Sequence, residues 1–242
     1  PNLMVKVPGT SEGLPAISKL LHEGININIT LLFSRSTYEK VAEIYVEALE
    51  ARATRGESID RLASVASFFV SRIDTAADAA LDKAAEGKSG EERARLSALK
   101  GTAAIANAKL AYQSYRRIFS GARWQALAAH GAKPQRVLWA STGTKNPSYS
   151  DVLYVEELIG PDTVNTMPPE TLAAYRDHGN PRPTLESNVA GAQKVLDDLA
   201  KAGVSLDKIT DELLVDGVKK FVEPYTKLLA TIEKLARNKA PR

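Results

Sequence analysis

Apolar and polar residues alternate with period two through Ile25-Asn26-Ile27-Asn28-Ile29-Thr30-Leu31-Leu32-Phe33. The alternation predicts a β-strand with Ile25, Ile27, Ile29 and Leu31 on one side and Asn26, Asn28 and Thr30 on the other. An antiparallel strand with one wet face would show the same alternation. The neighbouring segments read as helices, however, and favour a parallel strand covered on its apolar side, whose polar side lines a barrel interior. Polar groups there cost stability unless bonded, so their clustering points to a ligand site.

The same reading extends along the chain. Leu3-Met4-Val5-Lys6-Val7-Pro8-Gly9-Thr10 is strand-like and ends in a Pro-Gly turn. Thr10 and Ser11 offer caps for a helix whose apolar face is Leu14, Ile17, Leu20 and Leu21, with Gly24 at its left-handed end. Ser34 caps a second helix with Tyr38, Val41, Tyr45 and Leu49 inward and Gly56 as its stop. Residues 65–73 read as a third strand, β-branched and aromatic. Residues 74–131 are helical and alanine-rich, broken at Gly87-Lys88-Ser89-Gly90, with a buried stripe of Ile105, Ala108, Tyr112, Tyr115 and Phe119. Residues 137–142 and 163–167 predict two more strands, with short helices at 154–159 and 172–177. Three helices close the chain: one on Val189, Ala192, Leu196 and Leu199, one over 207–214, and one on Val218, Phe221, Tyr225, Leu228, Ile232 and Leu235. Five strands alternating with helices amount to five eighths of an α/β (β/α)8 TIM barrel, here with a large helical exterior. The expected organisation is a single domain over residues 1–242.

Composition narrows the chemistry. With 44% hydrophobic and 25% charged residues and a net charge of +3, the chain carries no field that favours nucleic acid or a membrane surface. The absence of cysteine excludes disulfides, thiolate metal sites and a thiol nucleophile. His22, His130 and His178 have no metal-ligand spacing, and no apolar run approaches the ~20 residues that span a bilayer. A cytoplasmic protein that needs no metal or organic cofactor is expected.

Lys6 is the residue that packing alone does not explain. An edge strand pointing its lysine to water would accommodate it. A buried position would disfavour the charged amine and leave a neutral nucleophile able to attack a carbonyl and form a Schiff base. The second arrangement, a dry and uncharged amine, is the one the site hypothesis requires.

Taken together, Val5-Lys6-Val7-Pro8-Gly9-Thr10, the segment from Gly24 to Ser34, Ser67-Phe68-Phe69-Val70-Ser71-Arg72-Ile73-Asp74, and Gln135 to Thr142 with Lys145-Asn146-Pro147 resemble the transaldolases. Val164-Asn165-Thr166-Met167-Pro168 and Asp211-Glu212-Leu213-Leu214 with Gly217 to Phe221 extend the resemblance over nearly the whole chain. It implies a Schiff base on Lys6 and transfer of a dihydroxyacetone unit from sedoheptulose 7-phosphate to glyceraldehyde 3-phosphate, in the pentose phosphate pathway. By the same resemblance Thr30 orients a proton-shuttling water, Asn28 and Ser67 bind donor hydroxyls, Phe69 walls the pocket and Arg72 binds phosphate. Lys145 stands where the better-known members have a second arginine.

The family also carries three strand-helix units ahead of the lysine strand, with an aspartate, an asparagine and a general acid/base glutamate. This chain is therefore expected to be the C-terminal portion of such a barrel, the first three units being supplied by another chain or by sequence outside this one. Asp74 reads as a helix N-cap, and Glu12 is too close to Lys6 to fold back onto it. Two other functions compete with transfer: a different Schiff-base aldolase acting on sugar phosphates, or a non-catalytic subunit.

Overall fold

A computed structural model describes residues 2–239. Five strands form one parallel sheet in the order β1 (Val5–Pro8), β2 (Ile27–Leu32), β3 (Ser64–Phe69), β4 (Arg136–Ala140) and β5 (Thr163–Asn165). Each strand lies beside the next in sequence, so every crossover runs the same way and the connecting helices fall on one face, as right-handed connections require. That order is an arc of a barrel rather than a doubly wound sheet.

The helix-covered face supplies the core. Ile27, Ile29, Ala66, Phe68, Val137 and Trp139 pack under α1 (Gly13–His22), α2 (Arg35–Thr54), α3 (Ser71–Ala84) and, beyond α4 (Gly90–Ala98), α5 (Ala103–Ile118), with α6 (Ala122–Ala128), α7 (Leu153–Glu157) and α8 (Pro169–His178) following along the chain. The rings of Tyr38 and Phe68, and of Phe68 and Trp139, meet edge-on at 6.4 and 6.1 Å. Trp139 Nε1–H donates to the Leu158 carbonyl at 3.1 Å, so the indole is buried without an orphaned donor. The capping expectations at the helix ends hold at Ser34, Gly24 and Gly56, the last at φ +71 just after α2. Ser34 Oγ accepts from Thr37 N–H at the start of α2, and Gly24 adopts φ +79 after α1.

The opposite face of the sheet carries Val65, Leu138 and Ala140, packed with Met4, Phe69 and Val164. Beyond β1 and β5 no further strand pairs among the described residues, so both edges of the sheet are open.

Several boundaries differ from the sequence reading. The third strand stops at Phe69, and Ser71 to Ile73 open α3 instead. The apolar residues Ile73, Ala77 and Leu81 recur at helical spacing and are all buried, so the helical stripe overlaps the β-branched run. β2 is interrupted by a bulge: Leu31 takes φ +60, and Leu32, not Leu31, pairs with Phe68. The last two predicted helices are one, α10 (Leu206–Lys239), which follows α9 (Val189–Lys201). Gly217 lies inside α10 because the helix crosses the Leu31 bulge there; a Cβ would stand 2.9 Å from Leu31 Cδ2. No helix among the described residues is long and apolar enough to cross a membrane.

Candidate active site

Parallel pairing sets Lys6 beside Asn28 and Pro8 beside Thr30. Paired residues project to the same face, and Ser67, two positions beyond the Asn28 partner Val65, shares it. Ser67 Oγ–H donates to Asn28 Oδ1 at 2.7 Å, fixing the two polar groups beside the lysine strand. The predicted division of the β2 side chains therefore holds for Asn28 and Thr30 against Ile27 and Ile29.

Lys6, Pro8, Thr30 and Leu31 line a hollow of ≈ 300 Å³ whose far wall is Val218, Phe221 and Val222 of α10. Thr30 is 4% exposed, and its Oγ1 has no hydrogen-bond partner. A buried hydroxyl without a partner is costly, and at the wall of a hollow it marks a place where a ligand or water completes the bonding. The α10 wall was not anticipated from sequence. Its apolar stripe was legible, but nothing local says that it crosses β1 and β2.

Phe69 stands on the same face as Ser67, with its ring 5.1 Å from that of Phe33. Arg72, in the first turn of α3, lays its guanidinium 5.2 Å from the Phe69 ring centroid. Among the described residues Arg72 has no carboxylate within ion-pair distance, so its charge is available to an anion. Beside it Ser71 and Ser141 place their hydroxyl oxygens 3.0 Å apart, with Ser141 at φ +57. This pair was not singled out in the sequence.

One expectation is corrected. Lys6 is exposed, not dry. β1 has a neighbour on one side only, and the hollow under α10 does not enclose Lys6, so the burial argued from the apolar strand is not realised. Lys6 still lines the hollow with Thr30, on the side of the sheet that carries Asn28 and Ser67.

Lys145 lies elsewhere. It lines a separate hollow with Asp74, Asp78, Asp82 and Tyr149 on the helical side, where the neighbouring acids oppose an anion.

Asp74 does cap a helix, though not its own. It sits in the first turn of α3 and accepts from Ala104 N–H at 2.8 Å at the start of α5, and from Tyr154 O–H at 2.8 Å. Burial pushes its carboxyl up to about 6, against the lowering effect of those two donors. Glu12 is exposed, and hydrogen bonds from its own backbone and from Ser11 hold its carboxyl below the usual range. No carboxylate lines the Lys6 hollow among the described residues.

Residues 1–232 match the family described as transaldolase/fructose-6-phosphate aldolase. A transaldolase of Trichodesmium erythraeum is 50% identical over 243 residues, covering 99% of this chain and 64% of its own length. Transaldolase 2 of Nostoc punctiforme is 50% identical over 238 residues, 96% of this chain and 62% of its own length. A Saccharopolyspora erythraea transaldolase is 50% identical over 233 residues, 96% and 61% respectively. The chain thus spans a little under two thirds of the length of these curated relatives. With a lysine on β1, an Asn–Ser pair beside it and an identity near one half along almost all of its residues, the chain belongs to the transaldolase/fructose-6-phosphate aldolase family.

Proposed function

We propose that this chain supplies the Schiff-base half of a transaldolase, as the last five strands of an eight-stranded barrel. The reading is supported above all by the placement of Lys6 in one hollow with the unpartnered Thr30 hydroxyl, on the face that carries the Asn28–Ser67 pair. Two facts support the barrel assignment: a parallel arc with both edges open, and relatives of which the chain covers 61–64%. The remaining units would close the sheet between β5 and β1 and cover the exposed lysine.

In this mechanism the Lys6 amine attacks the ketone of a ketose phosphate, sedoheptulose 7-phosphate in the forward direction. The carbinolamine loses water to give an iminium, which accepts the electron pair when the C3–C4 bond breaks. Erythrose 4-phosphate leaves as the aldehyde, and a dihydroxyacetone unit stays on Lys6 as an enamine. Its carbon then attacks glyceraldehyde 3-phosphate, and hydrolysis of the new iminium releases fructose 6-phosphate. Asn28 and Ser67 hold the donor hydroxyls, Thr30 holds the water that carries protons, and Phe69 walls the pocket. Arg72 takes the phosphate with a guanidinium suited to bidentate contact. Lys145 is not assigned a phosphate here. The general acid/base carboxylate comes from the closing units. The reaction runs on side chains alone, in the pentose phosphate pathway of the cytoplasm.

Borohydride reduction with fructose 6-phosphate tests the reading. The chain is assembled with the part of the Trichodesmium erythraeum transaldolase that lies outside the aligned stretch, then reduced and digested. A three- or six-carbon adduct on the Lys6 peptide, absent in Lys6→Ala, is expected. An unmodified Lys6 in an assembled barrel would end the proposal.

A further inference from the structure

α3 carries Arg72 in its first turn, and along another side it carries Asp74, Asp78 and Asp82. Four positions separate each acid from the next, so the three stand in a row over successive turns. Each reaches the junction between α4 and α5. Asp74 accepts from Ala104 N–H at 2.8 Å, Asp78 accepts from Gly101 N–H at 3.0 Å, and Asp82 pairs with Lys100. The first two acids also hold the segment that follows β4. Tyr154 O–H donates to Asp74 at 2.8 Å, and Tyr149 O–H donates to Asp78 at 2.7 Å. The Tyr149 ring lies against Gly101, where a Cβ would stand 2.8 Å from its Cζ.

Packing alone does not call for this row. Ile73, Ala77 and Leu81 already seat α3 on the core. Asp74 is 1% exposed, and burying a carboxyl costs desolvation that an apolar side chain avoids. What a fully bonded row adds is orientation, because it fixes the rotation of α3 about its own axis at three successive turns. Arg72, two positions before Asp74, projects roughly 200° round the helix from it. On that side its guanidinium lies 5.2 Å from the Phe69 ring centroid. No carboxylate pairs with Arg72 among the described residues, so its direction is set by that ring and by the helix that carries it. The start of the helix is tied as well, since Ser71 N–H donates to the Ser141 carbonyl at 3.0 Å. The row and this bond hold α3 and the β4–α7 segment as one piece.

We propose that Asp74, Asp78 and Asp82, with Tyr149 and Tyr154, aim Arg72 at the phosphate of the sugar substrate. They are positioning residues: none of them lines the Lys6 hollow, and each acts through the setting of α3. The inference rests on the reading of Arg72 as the phosphate contact and names what directs it.

The test uses the enzyme assembled as for the borohydride experiment, with Tyr149→Phe, Tyr154→Phe and the double variant. Each substitution removes one hydroxyl and keeps the ring, and an unfolding curve checks that each variant folds. Tyr149 is half-buried and Tyr154 is buried, so Tyr149→Phe carries the test where Tyr154→Phe does not fold. KM for fructose 6-phosphate should rise at least about threefold in each single variant, and about tenfold in the double one, which corresponds to ~1.4 kcal/mol. kcat should stay within about twofold. Calorimetric titration with inorganic phosphate should show the same weakening. In an Arg72→Ala background the tyrosine changes should add nothing, because groups that act through one residue are not additive.

Unchanged KM and unchanged phosphate binding in the double variant would overturn the inference. So would a full further loss on top of Arg72→Ala, which would make the tyrosines supports of the fold at large. Reduction with fructose 6-phosphate separates the two proposals. A Lys6 adduct with phosphate binding indifferent to the tyrosines removes the positioning row and keeps the transaldolase reading. No adduct in the unaltered assembly, with phosphate binding weakened by the tyrosine changes only when Arg72 is present, does the reverse.

Discussion

At the scale of single residues, the sharpest prediction concerns Asp74. Burial raises its carboxyl from 3.8 to about 6, so the folded state holds a proton that the unfolded chain releases. The stabilisation is therefore full below the unfolded value and is lost as pH rises through about 6. Two pKa units correspond to ~3 kcal/mol. Asp74→Asn keeps an oxygen for Ala104 N–H and removes the charge. It should raise the melting temperature at pH 7–8 and flatten its dependence between pH 4 and 6; an unchanged pH profile would refute the account. Asp74→Ala should instead destabilise by about 1–3 kcal/mol, because Ala104 N–H and Tyr154 O–H lose their acceptor. Arg72 is tested kinetically. In the assembled enzyme, Arg72→Ala should raise KM for phosphorylated substrates with a smaller effect on kcat, and an unchanged KM would remove its phosphate role. Residue identity was legible for Lys6, Asn28, Thr30 and Ser67, which the strand register brings to one face. The setting of Lys6 was not, since an apolar strand reads the same at an edge as in the middle of a sheet. The surroundings of Lys145 were not legible either: a loop side chain takes them from other elements, here Asp78 and Asp82 of α3.

Among the elements, the β1–α1 turn controls where the lysine strand ends. Gly13 begins α1 directly under the Pro8 carbonyl, where a Cβ would lie 2.0 Å from the oxygen, and its N–H donates to Thr10 Oγ1 at 3.0 Å. Gly13→Ala must push β1 and α1 apart, at a cost of roughly 1–3 kcal/mol. A urea titration should show the midpoint falling with little change in slope; an unchanged midpoint would mean that the turn relaxes freely. Pro8 lines the Lys6 hollow, so the assembled variant should also lose activity. Element types were largely legible because period-two and period-3.6 patterns rarely coincide. They did meet at Val70, which continues the alternation of Ala66 and Phe68 while Ile73 already belongs to the helical stripe of Ala77 and Leu81, and tertiary contact decided for the helix. Ser71 N–H donates to the Ser141 carbonyl at 3.0 Å, which ties the start of α3 to the residue that follows β4. The gap read between the last two helices is closed because α10 runs through Gly217, which gives it close approach to Leu31.

For the molecule as a whole, the uneven covering of the sheet predicts an uneven stability. β2, β3 and β4 have strands on both sides, and their inner residues are almost all buried under α2, α3 and α5. β1 and β5 each have one neighbour, and neither contains a buried strand residue apart from what their single partner covers. Backbone hydrogen bonds at such an edge open without breaking the core, whereas those of β3 open only with the fold. In the isolated chain, amide exchange followed by mass spectrometry should therefore be slowest over residues 27–33, 64–70 and 136–140. Peptides over residues 3–8, 163–165 and 219–237 should exchange within the earliest time points. The distribution follows from the arc rather than from local sequence: Val5 and Val7 are as strand-prone as Ile27 and Ile29. Comparable protection in β1 and β2 of the isolated chain would mean that the edge is already covered, and the open-arc description would fail. If β1 becomes slow only when the closing units are added, the lysine strand is completed by its partner, which gives Lys6 the covered setting that Schiff-base chemistry calls for.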